Sequence, residues 1–292
     1  MNKPLLKKRI NSFKSDTPAV IGATILLTFI LAGIFAPFLA PMDPYKLSSL
    51  DLANSLLQPF WMDGGSAAFP LGTDDQGRGI LSTILYGLRT SLIVGGSVVA
   101  IAGTFGIVMG MIGAYYGGLI DAFVMRCADT VFSFSTTLLA VLLLGVFETR
   151  GIGTVIFAIC IADWVKYART IRGSVLEIKN NPYVIAAKAS GARDFRILFQ
   201  HILPNAMPPI FVVMAVDLAV VIMLEATLSF LGVGVPLTEP SLGMMISIGK
   251  NYIYAGMWWL TLFPGAALIL LVVGINLFAD WLRDEMNPKL SR

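Results

Sequence analysis

Few residues in this chain are equipped for chemistry, and their spacing limits what that chemistry is. Asp217 and Glu225 lie eight residues apart in an otherwise uncharged stretch. That is about two helical turns, so on a helix they share a face. Ionisable groups among apolar neighbours are costly and face a partner or a hydrated cavity. Two readings stay open for them. One is a polar wall along a solute path, able to attract an amine. The other is a bond between helices, with Arg126 or Arg283 as candidate partners. Asp129, Asp163, Asn276 and Asp280 pose the same choice. Arg126 and Asp129, three apart, can pair on one helix face. Asp74, Asp75 and Arg78 either form a docking surface or belong to a local cap, with Thr73 or Asp74 starting a short helix near Gly77.

Catalysis finds little to build on. His201 is the only histidine, and a metal site needs several converging ligands. No nucleophile–base cluster is visible. The Gly249-Lys250 pair is followed by Asn251, with Met244 where a phosphate-binding loop needs its first glycine. We expect no metal, no cofactor and no nucleotide chemistry in this chain.

The elements that must position these residues are oily. Of 292 residues 56% are hydrophobic and 13% charged, with a mean hydropathy of +0.78. A soluble domain carries about 25% charged residues. The composition indicates an all-α integral membrane protein, and a net charge of +3 suggests no nucleic-acid partner. Cys127 and Cys160 sit in or beside apolar runs and read as free thiols. Residues 19–40 carry no charge, are too long for a signal-peptide core and precede no A-x-A site, so they read as an uncleaved first span. Further apolar runs cover 92–116, 131–147, 151–167, 210–231 and 260–281, which makes six expected transmembrane helices.

With the N-terminus inside, 16 of the 21 basic residues fall on the inner side and only Lys46, Arg78, Arg89, Arg150 and Lys250 outside. The positive-inside rule then places both termini in the cytoplasm. The expected order is a cytoplasmic segment 1–18, a first helix 19–40 and an external loop 41–90. A five-helix core 91–285 with a cytoplasmic loop 167–208 follows, then a tail 286–292. A second outer loop ends in Trp258-Trp259, an aromatic anchor for the membrane interface. Ala102, Gly106, Gly110, Ala114 and Gly118 recur every four residues. Such a stripe lets helices approach closely, either within the chain or against a second membrane subunit.

One polar stretch stands apart, "YVIAAKASGARDFRILFQHILPN" at 183–205. At about 100° per residue, Ala192, Phe195, Leu198, Phe199 and Ile202 fall on one arc, with Arg193, Arg196 and Gln200 opposite. Gly191 permits a sharp turn or a close approach, and Pro204 is expected to stop the helix. Such an element lies on the membrane, folds back on the chain, or docks into a soluble partner.

The spacing of Ala186-Ala187, Gly191 and Leu203-Pro204 resembles the EAA loop of bacterial ABC importer permeases, with Ile185 in place of the Glu and His201 in place of an Ile. Further blocks resemble the second permease subunit of the dipeptide/oligopeptide/nickel importers. They include "LGTDDQGRG", "YYGGLIDAFVMRCAD", "WVKYARTIR", "LSFLGVG", "PSLGMM" and "NLFADWLRDEMNPKL". Gly79 stands for an Asp and Ser135 for the proline that usually kinks the third helix.

The resemblance implies a type I ABC importer permease in a bacterial inner membrane. Its partners would be a second homologous permease, two ATPases that supply ATP and Mg chemistry, and an external substrate-binding protein. It implies ATPase coupling through Ala186, Ala187, Gly191, Phe195, Phe199, Leu203 and Pro204. Asp217 and Glu225 become candidates for the substrate path, and Asp74, Asp75 and Arg78 for the binding-protein contact. Peptides are the leading solute. Nickel chelates, opines and other solutes within the family, or a self-sufficient secondary transporter, are the alternatives.

Overall fold

A computed structural model describes residues 12–44, 46, 50–147, 151–236 and 238–286. The basic residues Lys3, Lys7, Lys8, Arg9, Arg150, Lys289 and Arg292 lie outside the described residues. Helix α1 (Thr17–Ile34) opens with Asp16 as N-cap, its carboxylate accepting the Ala19 N–H at 3.1 Å. The expected first span bends at Phe35 and resumes as α2 (Ala36–Leu39). Pro37 has no N–H to offer the preceding turn, so an unbroken helix is interrupted there.

Helix α3 (Ile80–Tyr116) is 37 residues long and starts well inside the expected external loop. The polar residues Ser82, Thr83 and Thr90 hid this first part. All three are buried, and the Thr83 and Thr90 hydroxyls donate back to the carbonyls of Gly79 and Tyr86. Helix α4 (Gly118–Phe132) and α5 (Thr136–Val146) replace the expected span 131–147 and meet at 86°. The bend forms without a proline, because Ser135 adopts an extended backbone (φ −61°, ψ 130°).

Helix α6 (Ile152–Ile178) runs eleven residues past the expected boundary and carries Asp163, Lys166, Arg169, Arg172 and Glu177. The chain then forms α7 (Pro182–Ala189), the single turn α8 (Asp194–Arg196) and a π-helical turn at Ile197–Ile202. Beyond it come α9 (Leu203–Phe230), α10 (Leu242–Gly249) and α11 (Trp259–Met286). Among the described residues four helices are long and apolar enough to cross a membrane, or five if α4 and α5 form one broken span. The expectation was six. Helix α6 has the length, but its charges remove it from the apolar set.

Two cores meet along α3. Its C-terminal half packs with α4, α5, α6, α7 and both ends of α9, and its N-terminal half with the end of α9, α10 and α11. The small-residue stripe is a seam within the chain. A Cβ on Gly110 would strike Ile171 Cγ2 at 2.6 Å, and one on Gly106 would strike the Trp164 carbonyl on α6. Gly118 leaves the stripe because α3 has already ended; it begins α4 at φ +57° with open space around it. A second glycine seam joins α1 and α11, where a Cβ on Gly22 would meet Leu277 Cβ at 2.6 Å. Trp258 is partly exposed, whereas Trp259 turns into the core.

Candidate functional site

The segment from α7 to the start of α9 is built to present apolar groups outward. Pro182 occupies the first turn of α7, where its missing N–H costs nothing. The helix ends in a left-handed glycine: Gly191 has φ +78°, its N–H bonds the Lys188 carbonyl at 3.0 Å, and the Ala192 N–H bonds that of Ala187 at 3.1 Å. A Cβ at Gly191 would meet nothing within 4 Å.

Pro204 does not stop the helix. It lies in the first turn of α9, and the π turn before it widens the spiral so that the Leu203 N–H reaches Leu198 O, five residues back. The wider turn also splits the expected apolar arc. Ile197, Leu198 and Ile202 are buried, while Phe195 (72% exposed) and Phe199 (42%) point outward and stack on each other at 4.4 Å between centroids. Ile185 and Tyr183 are exposed as well. Gly191, Ala192, Arg193, Phe195 and Arg196 border an open hollow of about 540 Å³.

This surface is held from beneath. Val184 is buried in the same cluster as Ile197 and Ile202. The Tyr115 hydroxyl donates to Asp194 Oδ1 at 2.7 Å, Lys179 Nζ to the Ala114 carbonyl at 2.8 Å, and Arg172 makes a forked pair with Asp121 at 2.6 and 2.7 Å. Asp129 pairs with Arg169 on α6 at 2.7 Å rather than with Arg126. Asp280 does pair with Arg283, at 3.2 Å.

The two carboxylates on α9 face inward. Asp217 is 2% exposed and takes Lys166 on one oxygen and the Tyr167 hydroxyl on the other; Lys166 also bonds Asp163 Oδ1 at 2.5 Å. Glu225 is fully buried and accepts from three hydroxyls, Ser91 at 2.9 Å, Ser229 at 2.8 Å and Ser241 at 2.9 Å. Both are buried in this conformation and bonded between helices, Asp217 to Lys166 and Tyr167 on α6 in place of Arg126 or Arg283, and Glu225 to Ser91 on α3 and to Ser241.

The Asp74–Arg78 turn is also closed. Asp74 and Arg78 are buried and paired, Nε to Oδ2 at 2.6 Å, and Asp74 Oδ1 accepts from the N–H groups of Gln76 (2.9 Å) and Arg78 (2.8 Å). Thr73 is not a helix cap: its hydroxyl donates to Asn54 O at 2.5 Å and accepts from Leu57 N–H at 2.8 Å. Helix α3 starts at Ile80 behind Gly79. Asp75 keeps partial exposure, and burial with Asp74 beside it raises its pKa above the ordinary carboxylate value.

The family described as binding-protein-dependent transport system inner membrane component matches residues 102–292, and the N-terminal TM domain of oligopeptide transport permease C matches residues 5–59. The chain belongs to the binding-protein-dependent inner membrane permeases. It is 37% identical to the dipeptide transport system permease protein DppC of Haemophilus influenzae, over 96% of this chain and 93% of that one. It is 36% identical to the oligopeptide transport system permease protein OppC of Bacillus subtilis, over 99% and 91%. A crystal structure of an amino acid ABC transporter with histidines shares the fold at 15% identity, with a TM-score of 0.52 over 69% of this chain and 92% of that chain.

The permease motifs map onto the contacts above. "WVKYARTIR" supplies Lys166, Tyr167, Arg169 and Arg172, each bonded to a carboxylate on another helix. "LSFLGVG" supplies Ser229, and "PSLGMM" supplies Ser241. Sequence reasoning placed these residues but not their partners. Only Lys166, three residues after Asp163, and Ser229, four residues after Glu225, carried a local signal.

Proposed function

We propose that this permease forms half of the translocation path of an ABC importer for dipeptides or short oligopeptides, in a bacterial inner membrane. The second half is a homologous permease. A binding protein delivers the solute to the outer loops, and two ATPases with ATP and Mg drive the cycle from inside. In this reading α6 supplies a sixth span, both termini are cytoplasmic, and Asp217 and Glu225 hold helices together rather than meet the solute.

One observation carries the coupling role. Phe195, Phe199 and Ile185 are exposed on a polar segment, around an open hollow beside Gly191, while Asp194 is bonded to Tyr115 on α3 and Val184, Ile197 and Ile202 are buried in the core behind them. A rigidly backed apolar surface suits a partner that pushes. A conformational change can be driven only through contacts that differ between its two states. The peptide reading rests on the relatives that are named for peptide transport.

Reconstitution of the permease with its co-expressed partners in proteoliposomes tests both parts. We expect uptake of a labelled dipeptide that requires the binding protein and ATP inside. Uptake without ATP would favour a secondary transporter. ATP-dependent uptake of nickel chelates or opines but of no peptide would keep the machine and change its cargo.

A further inference from the structure

Where α6 meets α9, two carboxylates share one ammonium. Asp163 is 3% exposed and Asp217 2%. Lys166 Nζ bonds Asp163 Oδ1 at 2.5 Å and also Asp217 Oδ1, and the Tyr167 hydroxyl bonds Asp217 Oδ2. The other ionisable neighbour is the Cys160 thiol, one turn before Asp163 on α6; α5 adds no ionisable residue. With both carboxylates ionised, the cluster holds two negative charges against one positive. A buried charge without a counter-charge costs several kcal/mol or more.

The hydrogen bonds show the same shortfall. Three of the four carboxylate oxygens have a donor. Asp163 Oδ2 is buried and has none. A buried acceptor left without a donor loses its hydration with nothing to replace it. Both Oδ1 atoms lie against the same Lys166 Nζ, so the two carboxyl groups are immediate neighbours around one cation.

We propose that the α6–α9 contact is a proton-binding site, in which one proton sits on Asp163 Oδ2, the carboxylate oxygen that Lys166 and Tyr167 leave without a donor. That single proton removes the excess charge, and the orphan atom is no longer a buried anionic acceptor. The cluster then reads as one acid, one carboxylate, one ammonium and one phenol, neutral in total. Binding is an acid–base step alone: Asp163 carboxylate takes a proton from water and becomes a carboxylic acid. The helix contact and the proton stabilise each other. Separating α6 from α9 exposes Asp163 to water and releases the proton, and loss of the proton loosens the contact.

Infrared difference spectroscopy on the assembled transporter in lipid nanodiscs tests this at neutral pH. The wild type should show a protonated-carboxyl C=O band that disappears in Asp163→Asn and in Asp217→Asn and persists in Glu225→Gln. A spectrum with no band that depends on Asp163 or Asp217 would overturn the site.

Thermal unfolding against pH provides a second reading. Asparagine mimics the protonated acid, so Asp163→Asn should keep the wild-type melting temperature at neutral pH. The wild type should lose stability as alkaline pH strips the proton, and Asp163→Asn should lose none of it in that range. A wild type and variant with the same pH slope would sink the proposal, as would an Asp163→Asn protein that unfolds at neutral pH.

Discussion

In the proposed orientation, the outer turn at Asp74–Arg78 and the inner turn at Gly191 look alike in sequence and differ in substance. Each sets a glycine near charged residues, and both glycines take a left-handed backbone, φ +76° at Gly77 and +78° at Gly191. At Gly77 the glycine is needed twice over, because a Cβ would also collide with the Asp51 carbonyl. At Gly191 only the backbone hand requires it, and the space beside it is empty. The outer turn therefore uses its charged groups on itself. The inner turn holds its hydrogen bonds in the backbone and leaves Phe195 and Phe199 to the outside. In the coupling proposal, it is these exposed rings and not the charged groups that mark the partner surface.

The sharpest way to break that contrast is Arg78→Ala. It strands a buried Asp74 carboxylate, and removing one member of a buried ion pair costs about 3–5 kcal/mol. We expect a large fall in thermal stability and little folded protein on size exclusion. A wild-type melting curve would mean that the outer turn is not a closed unit.

At the inner turn the effect should fall on transport and spare the fold. At Gly191→Trp the added Cβ meets nothing within 4 Å, and the strain is confined to the left-handed backbone. ATP-driven uptake should drop by about tenfold or more, equivalent to about 1.4 kcal/mol of lost docking, while the protein still inserts and assembles. Gly191→Asn tolerates the left-handed backbone and should retain most of the uptake. If both variants fail alike, backbone strain is the cause and the hollow has no role. Phe195→Ala sharpens the point with a smaller change. The ring is 72% exposed, so stability should move by no more than about 0.5 kcal/mol. Uptake per ATP hydrolysed should still fall measurably; an unchanged ratio would remove Phe195 from the coupling surface.

How much of this was legible beforehand depended on the kind of signal. Apolar length identified α1, α3, α9 and α11, because burying about 20 apolar residues needs no knowledge of neighbours. The four-residue stripe at Ala102–Ala114 foretold a seam but not its partner, α6. The expected stop at Pro204 does not occur, because the helix runs on through Pro204. The π turn that absorbs it, and so turns Phe195 outward, depends on hydrogen bonds five residues apart that a 100° period does not represent. The polar start of α3 was read as loop because Ser and Thr hydroxyls satisfied within the helix resemble surface residues in a composition count. The partners of Asp217 and Glu225 were illegible in principle: Ser91 lies 134 residues from Glu225 in the chain.

The finest test of the outer turn is Asp75→Asn. Asp75 Oδ1 is buried and accepts no hydrogen bond, and its carboxyl is pushed above the ordinary value of 3.8 by burial first and by the Asp74 charge second, with Arg78 opposing. A carboxyl that binds its proton more tightly in the fold than in the unfolded chain adds stability below the unfolded pKa. That stability is lost as pH rises through the folded pKa. At neutral pH the ionised Asp75 is therefore a small cost, and asparagine, neutral throughout, avoids it. The variant should melt about 1–2 °C above the wild type at pH 7, the scale of a mild surface substitution in a chain of this size. The gap should close as the pH falls below the unfolded value. A variant that melts lower at pH 7 would show that the carboxylate is engaged after all, and that the outer turn closes around two acids rather than one.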